Sequence, residues 1–275
     1  MASIIRRSLF GDTDLEQTAI DLLRQHEPDE GYYLANSGGK DSGVLRHLVI
    51  KSGVKFDSHY NWTTVDPPEL LQHIRTHHPE TTIHKPALSM WQLIPLKKMP
   101  PTRLVRYCCS VLKECGGSGR IVLTGVRASE SFKRSQRKQV ESVYKGTSKG
   151  FVHPLFYWSE QDIWEYTHQE QISYCDLYDQ GFKRLGCIGC PMQGKAGMER
   201  DFERWPKHKD AYIRSFSKLI EQRRLTDKPA LQNTAQEMFD WWVSGRSLKP
   251  SLNFNLFESP VKKIDESGLL HQDAF

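Results

Sequence analysis

Apolar residues fall into short clusters separated by glycine- and proline-rich breaks, and the spacing changes from cluster to cluster. Over 12–26, Leu15, Ile20, Leu22 and Leu23 follow helical spacing, and Pro28 closes the segment. The run 31–35 (GYYLA) predicts a short buried strand, and 36–43 a polar, glycine-rich turn. Helical spacing resumes at Val44, Leu45, Leu48 and Val49 through Ile50, with Gly53 as C-terminal cap. A second strand is predicted over 54–62, and Pro67-Pro68 open a helix that runs to about residue 78. Residues 81–84 predict a third strand, 87–94 a short helix, and 103–114 a helix broken by the glycines of 116–119. The apolar run 121–124 predicts a strand ending at Gly125, and 127–150 a basic, polar loop. Ser159 with Asp162 three residues on begins a helix over 159–168, whose apolar face is Ile163, Trp164 and Tyr166. Residues 182–194 form a Cys- and Gly-rich turn, and 198–242 are helical with Trp205, Tyr212, Phe216, Phe239, Trp241 and Trp242 on the pattern. The tail after Gly245 carries no clear period.

Strands alternating with helices in the first half predict an α/β fold, a mostly parallel twisted sheet flanked by helices, with a helical C-terminal region. The expected division is 1–195 and 196–275. No internal repeat is visible.

Composition narrows the class. The chain has 275 residues, 38% hydrophobic and 26% charged, with mean hydropathy −0.59. No apolar run approaches the length of a membrane span, and the first twelve residues lack the apolar stretch of a signal peptide. A cytoplasmic protein without membrane attachment is expected. Six cysteines in a reducing compartment argue against a disulfide framework. The net charge of +5 suits a phosphate-bearing ligand or weak contact with nucleic acid, and equally a solvated surface.

The chemistry is concentrated in three places. Ser37-Gly38-Gly39-Lys40-Asp41-Ser42 follows an apolar strand and opens a helix. Glycines let the backbone approach an anion, and the free amides of the helix start favour negative charge. Ser37 and Ser42 supply hydroxyls and Lys40 a point charge. Neither the Walker A spacing nor the Gly-x-Gly-x-x-Gly fingerprint is present. The second place is the end of the later strand, where Gly125, Arg127, Ser129 and Arg134 follow one another. A parallel sheet presents strand ends along one edge, so Arg127 is expected near the same crevice, and both arginines suit bidentate contact with phosphate or sulfate oxygens. A solvated basic loop is the plainer alternative.

The third place is a set of four cysteines, Cys108-Cys109 and Cys187-Ile-Gly-Cys190. A C-x-x-C turn directs two thiolates into one concavity. Adjacent residues on a helix diverge, which suits a wide iron–sulfur cube better than a single zinc ion, although zinc and inert thiols stay open. Cys115 and Cys175 read as small buried hydrophobes. No pair of histidines has metal spacing with another strong ligand, and His77-His78 reads as a helix end.

The string SGGKDS resembles the PP-loop of the ATP-pyrophosphatase superfamily. With the Thr-Gly-Val-Arg segment at 124–127, the 154–164 segment and the two cysteine pairs in order, residues 30–195 resemble the phosphoadenylyl-sulfate reductase family. That resemblance implies a 4Fe–4S cluster on Cys108, Cys109, Cys187 and Cys190, and an adenosine running close to Thr63 or Thr64. It implies catalytic roles for Lys40, Asp41 and Arg127, and nucleotide contacts from Ser37 through Ser42, Thr63, Thr64, Gly125, Arg127 and Arg134. Reductases of the family attack sulfur with a cysteine in a C-terminal tail; here only Ser267-Gly268-Leu269-Leu270-His271 stands in its place. The expectation is therefore an ATP pyrophosphatase that uses ATP with Mg2+ to adenylate an acceptor, DNA backbone or tRNA, for sulfur insertion. A cysteine desulfurase or DNA-modification protein is the expected partner. The alternatives are an adenylyl- or phosphoadenylyl-sulfate reductase, or a non-catalytic nucleotide- and cluster-binding subunit.

Overall fold

A computed structural model describes residues 4–8, 11–142, 148–228 and 231–246. The chain divides into two compact units, one of residues 1–85 with 109–187 and one of 86–108 with 188–275. This cut differs from the single boundary after 195 expected from the sequence, because 86–108 group with the C-terminal helices.

The first unit opens with an antiparallel hairpin of β1 (Ile5–Ser8) and β2 (Gly11–Asp14), which the sequence pattern did not predict. α1 (Leu15–Gln25) follows, its N-terminus capped by the Asp14 carboxylate, which accepts from Gln17 N. β3 (Tyr32–Ala35) leads into α2 (Lys40–Ser52), closed by Gly53 in the left-handed conformation as expected. β4 (Phe56–Asn61), α3 (Pro68–His77) and β5 (Thr82–His84) come next.

In the second unit, α4 (Met90–Lys97) sits three residues later than predicted. The helix predicted over 103–114 does not form over 103–106. The Thr102 hydroxyl accepts from Val105 N and Val105 O accepts from Thr102 N, which closes a local turn instead. Residues 107–108 are helical, and in the first unit a π-helical turn over Cys109–Lys113 follows.

β6 (Ile121–Leu123) is as read. The expected basic loop contains a 3-10 turn over Ala128–Glu130, the four-residue α5 (Phe132–Ser135) and β7 (Val140–Glu141). β8 (Gly150–Val152) then precedes α6 (Glu160–Gln169), whose Ser159 and Asp162 make both hydrogen bonds of the expected capping box.

The sheet runs β5-β4-β3-β6-β8-β7; every pairing is parallel except β7 with β8. β3 is central, and alternation divides its side chains between the two faces. Tyr32 and Leu34 join one core with Leu15, Ile20 and Leu23 of α1, Val44, Leu45 and Leu48 of α2, and Ile163 and Tyr166 of α6. Leu23, Leu34, Leu45 and Leu48 are fully buried, each stabilising the fold by about 1.5–3 kcal/mol. Tyr33, on the other face, stacks on His59 at 4.0 Å.

The second unit also holds α7 (Gly194–Arg204), α8 (Pro206–Leu225) and α9 (Ala235–Ser244), which begin four residues before and end two residues after the stretch expected to be helical. Its core gathers Phe202, Tyr212, Phe216, Phe239 and Trp242, and the Trp242 indole donates to Pro101 O at 2.6 Å. The tail residues Ser267–His271 lie outside the described residues.

Candidate nucleotide site

The turn between β3 and α2 is shaped from beneath by a buried polar network. Asn36 is 2% exposed; its backbone N–H donates to Leu34 O and His59 O, and its side-chain Oδ1 accepts from Gly38 N at 2.9 Å. The Asn36 amide group in turn bonds His78 Nδ1 at 2.9 Å and Thr81 Oγ1 at 3.1 Å. Burial pushes His78 down to about 4, so the ring is neutral and the contact can persist at neutral pH. Gly38 takes φ +71, and a Cβ there would lie 2.7 Å from Ile74 of α3. A glycine is therefore required twice, by the backbone and by the space.

The amides at the start of α2 have no intrahelical acceptors. The Tyr178 hydroxyl accepts from Lys40 N at 3.0 Å. Ser42 Oγ donates to Gly39 O at 2.8 Å and meets Ser37 Oγ at 3.2 Å. Lys40, 6% exposed, has its ammonium 3.4 Å from both Asp41 Oδ2 and Glu160 Oε1.

Arg127, 4% exposed, donates from Nε to Asp41 Oδ1 at 2.5 Å and from Nη1 to Ser129 Oγ at 3.1 Å. Gly125 closes the same contact: a Cβ there would press within 3.2 Å of Asp41 backbone and side-chain atoms. Arg134 pairs with Glu130, which also accepts from Arg127 N. Ser37, Ser42, Lys40, Asp41, Gly125 and Arg127 are thus gathered around the first turn of α2, and Arg134 is tied in through Glu130.

The turn after β4 is built differently. Thr63 N donates to Asp66 Oδ2 at 2.8 Å, and Thr64 holds φ +66, a costly conformation for a β-branched residue. The Cys187 thiol lies 3.5 Å from Thr63 Oγ1 and 4.0 Å from Asp66 Oδ1. Asp66 secures this turn, while the cap of α3 is Pro67.

Among the described residues no three His, Cys, Asp or Glu side chains are grouped so as to hold a metal ion. The 4Fe–4S assignment of Cys108, Cys109, Cys187 and Cys190 therefore rests on the sequence pattern. Cys175 is buried as expected, but Cys115 is exposed rather than a core residue. Among the described residues no helix is long and apolar enough to cross a membrane.

Asn36, His78, Glu160 and Tyr178 shape the site without having been singled out for it in the sequence. A signal existed only for Asn36, an Asx residue two before a turn glycine.

Residues 31–193 match the phosphoadenosine phosphosulfate reductase domain. The chain belongs to that family. An uncharacterised protein of Methanocaldococcus jannaschii is 27% identical over 187 residues, covering 63% of this chain and 39% of that protein. An adenosine 5'-phosphosulfate reductase of Neisseria meningitidis serogroup B is 35% identical over 105 residues, covering 36% of this chain and 42% of the reductase. The chain thus spans less than half the length of these relatives. The phosphoadenylyl-sulfate reductase of Candida auris, solved as a phosphate complex, is similar in structure with 19% identity and a TM-score of 0.48, over 68% of this chain and 98% of that one.

Proposed function

We propose that this chain binds Mg·ATP at the start of α2 and transfers the adenylyl group to an acceptor oxygen, releasing pyrophosphate. The observation that carries the reading is the convergence of Lys40, Arg127 and the first turn of α2 at one bend whose shape is imposed by Asn36 and Gly38. In the reaction an acceptor oxygen forms a bond to the α-phosphorus, the bond to the β-phosphate oxygen breaks, and pyrophosphate leaves with its charge. The site's part is positioning and charge neutralisation. The α2 amides, Ser37 and Ser42 hold phosphoryl oxygens, while Lys40 and Arg127 offset the negative charge that builds on the leaving group. Asp41 keeps both cations in place. Thr63 and Thr64 border the adenosine, and Arg134 completes the anion cradle.

The acceptor class is nucleic acid, DNA backbone or tRNA, with sulfur replacing the adenylate in a later step supplied by a cysteine desulfurase or DNA-modification partner. The four cysteines are the candidates for a 4Fe–4S cluster on the strength of their sequence pattern alone, and no step above passes through it. Anaerobic purification with and without Cys187→Ser, read by thiolate-to-iron absorption, tests that assignment.

Pyrophosphate release from ATP in the presence of DNA or tRNA tests the main reading; release with neither acceptor, and no adenylate formed, counts against it. A second reading, reduction of adenylyl or phosphoadenylyl sulfate, is favoured by the names of the relatives. Release of labelled sulfite from the sulfonucleotide selects it. A chain that binds nucleotide yet performs neither reaction acts as a binding subunit.

A further inference from the structure

The side chain that reaches the first amide of α2 comes from a distant part of the sequence. Tyr178 lies 138 positions beyond Lys40, in the irregular segment after α6, and its hydroxyl accepts from Lys40 N at 3.0 Å. The same oxygen would lie 3.2 Å from a Cβ at position 39, so Gly39 leaves the room it occupies. The Tyr178 ring is held edge-on by Trp164 at 5.3 Å and Tyr174 at 6.3 Å, and the Lys40 ammonium stands 5.6 Å from its centroid.

A phenol has two lone pairs and one proton. Accepting from Lys40 N uses a lone pair and leaves the proton to donate. Burial raises the Tyr178 pKa, so that proton stays in place. An oxygen at hydrogen-bond distance from the opening amide of a helix also stands where an anion's oxygen binds. We infer that Tyr178 is a phosphoryl-binding residue: its hydroxyl holds the place of a ligand oxygen at Lys40 N and, when the phosphoryl group enters, donates to it. The inference rests on the nucleotide reading above and adds to it a neutral donor beside the Lys40 ammonium. Such a donor recognises phosphoryl oxygens without adding charge, and its contribution is separable from that of Lys40.

The test uses the full chain and isothermal titration with three probes: inorganic pyrophosphate, Mg·ATP and adenosine. Tyr178→Phe keeps the ring, its packing on Trp164 and its contact with Lys40, and removes only the hydroxyl. A hydrogen bond to a charged group is worth enough that pyrophosphate and Mg·ATP should each bind about tenfold more weakly. Adenosine, which has no phosphoryl group, should bind unchanged. A purely structural tyrosine would shift all three, and that result overturns the inference. Unchanged or tighter pyrophosphate binding overturns it as well, reducing Tyr178 to a plug. If the parent chain binds neither pyrophosphate nor Mg·ATP, the nucleotide reading fails, and the tyrosine's role falls with it.

Discussion

Arg127 Nε donates to Asp41 Oδ1 at 2.5 Å, which fastens the segment after β6 to the first turn of α2. The arginine is 4% exposed, so its charge depends on that carboxylate and on Ser129 for compensation. Removing one partner of a buried pair leaves an uncompensated charge, a loss of about 3–5 kcal/mol where burial is complete. Asp41 is partly exposed, so Asp41→Ala should cost less, about 2 kcal/mol. Urea unfolding measures it. A midpoint unchanged from the parent would show that the pair is not structural. Arg127→Ala, which leaves the more exposed partner behind, should destabilise less but should weaken Mg·ATP binding.

Acid sensitivity should come first from histidines. Burial, more than any neighbouring charge, depresses His73, His78 and His153 from the ordinary 6.5 to about 4 each. The folded state thus keeps them neutral while the unfolded chain takes up protons. Their contribution to stability is complete above pH 6.5 and is lost as the pH falls through 6.5 toward 4. Asp57 and Glu141 pay a burial cost, but hydrogen bonds from Arg120 and Arg137 hold both below the usual carboxylate values, so their share is lost at still lower pH. The melting temperature should decline steadily between pH 6.5 and 4. His78→Asn should make that slope shallower. A flat profile across this window would contradict the assignment. Because His78 positions Asn36 and Asn36 positions Gly38, phosphate affinity of the folded protein should hold through most of this window and fall only as the pH approaches the His78 value of about 4.

The helix cap at Ser159, next to Glu160, offers a test of what α6 contributes. Its hydroxyl accepts from Asp162 N at 3.1 Å and Asp162 Oδ2 accepts from Ser159 N at 2.6 Å. Ser159→Ala should cost about 1 kcal/mol in chemical unfolding, with nucleotide affinity intact. A loss of affinity would mean that α6 takes part in the site beyond Glu160.

What could be read from the sequence and what could not divide along physical lines. β3, the glycine-rich turn and α2 were visible because an apolar run, a break and a helical period are all local signals. The Gly53 cap and the Ser159 box were visible for the same reason. The β1–β2 hairpin was not, since Arg6, Asp12, Thr13 and Asp14 give it no apolar alternation. Tyr178 and His78 were invisible as site residues, because nothing local distinguishes an aromatic ring that packs from one that reaches a helix start 138 residues away. The partial loss of the predicted 103–114 helix has the opposite cause: the apolar spacing is there, but the Thr102–Val105 turn takes the backbone groups that a helix would use.

Two glycines with nearly the same backbone angle should respond differently to alanine, and the difference isolates the nucleotide turn. Gly38 has φ +71 and Gly53 has φ +75. Alanine at Gly53 meets no atom within 4 Å, so only the left-handed conformation is penalised, at about 1 kcal/mol. Alanine at Gly38 pays the same conformational penalty and also drives its Cβ to 2.7 Å from Ile74 Cδ1 and 2.9 Å from Leu70 Cδ1. Overpacking of that kind adds about 1–3 kcal/mol, or moves the turn away from α3. Either outcome pulls Gly38 N off Asn36 Oδ1 and misaligns the amides that open α2. Gly38→Ala should therefore lose Mg·ATP binding, while Gly53→Ala keeps it despite a lower melting temperature. Equal nucleotide affinity in the two variants would mean that the geometry of the 36–42 turn does not govern phosphate recognition.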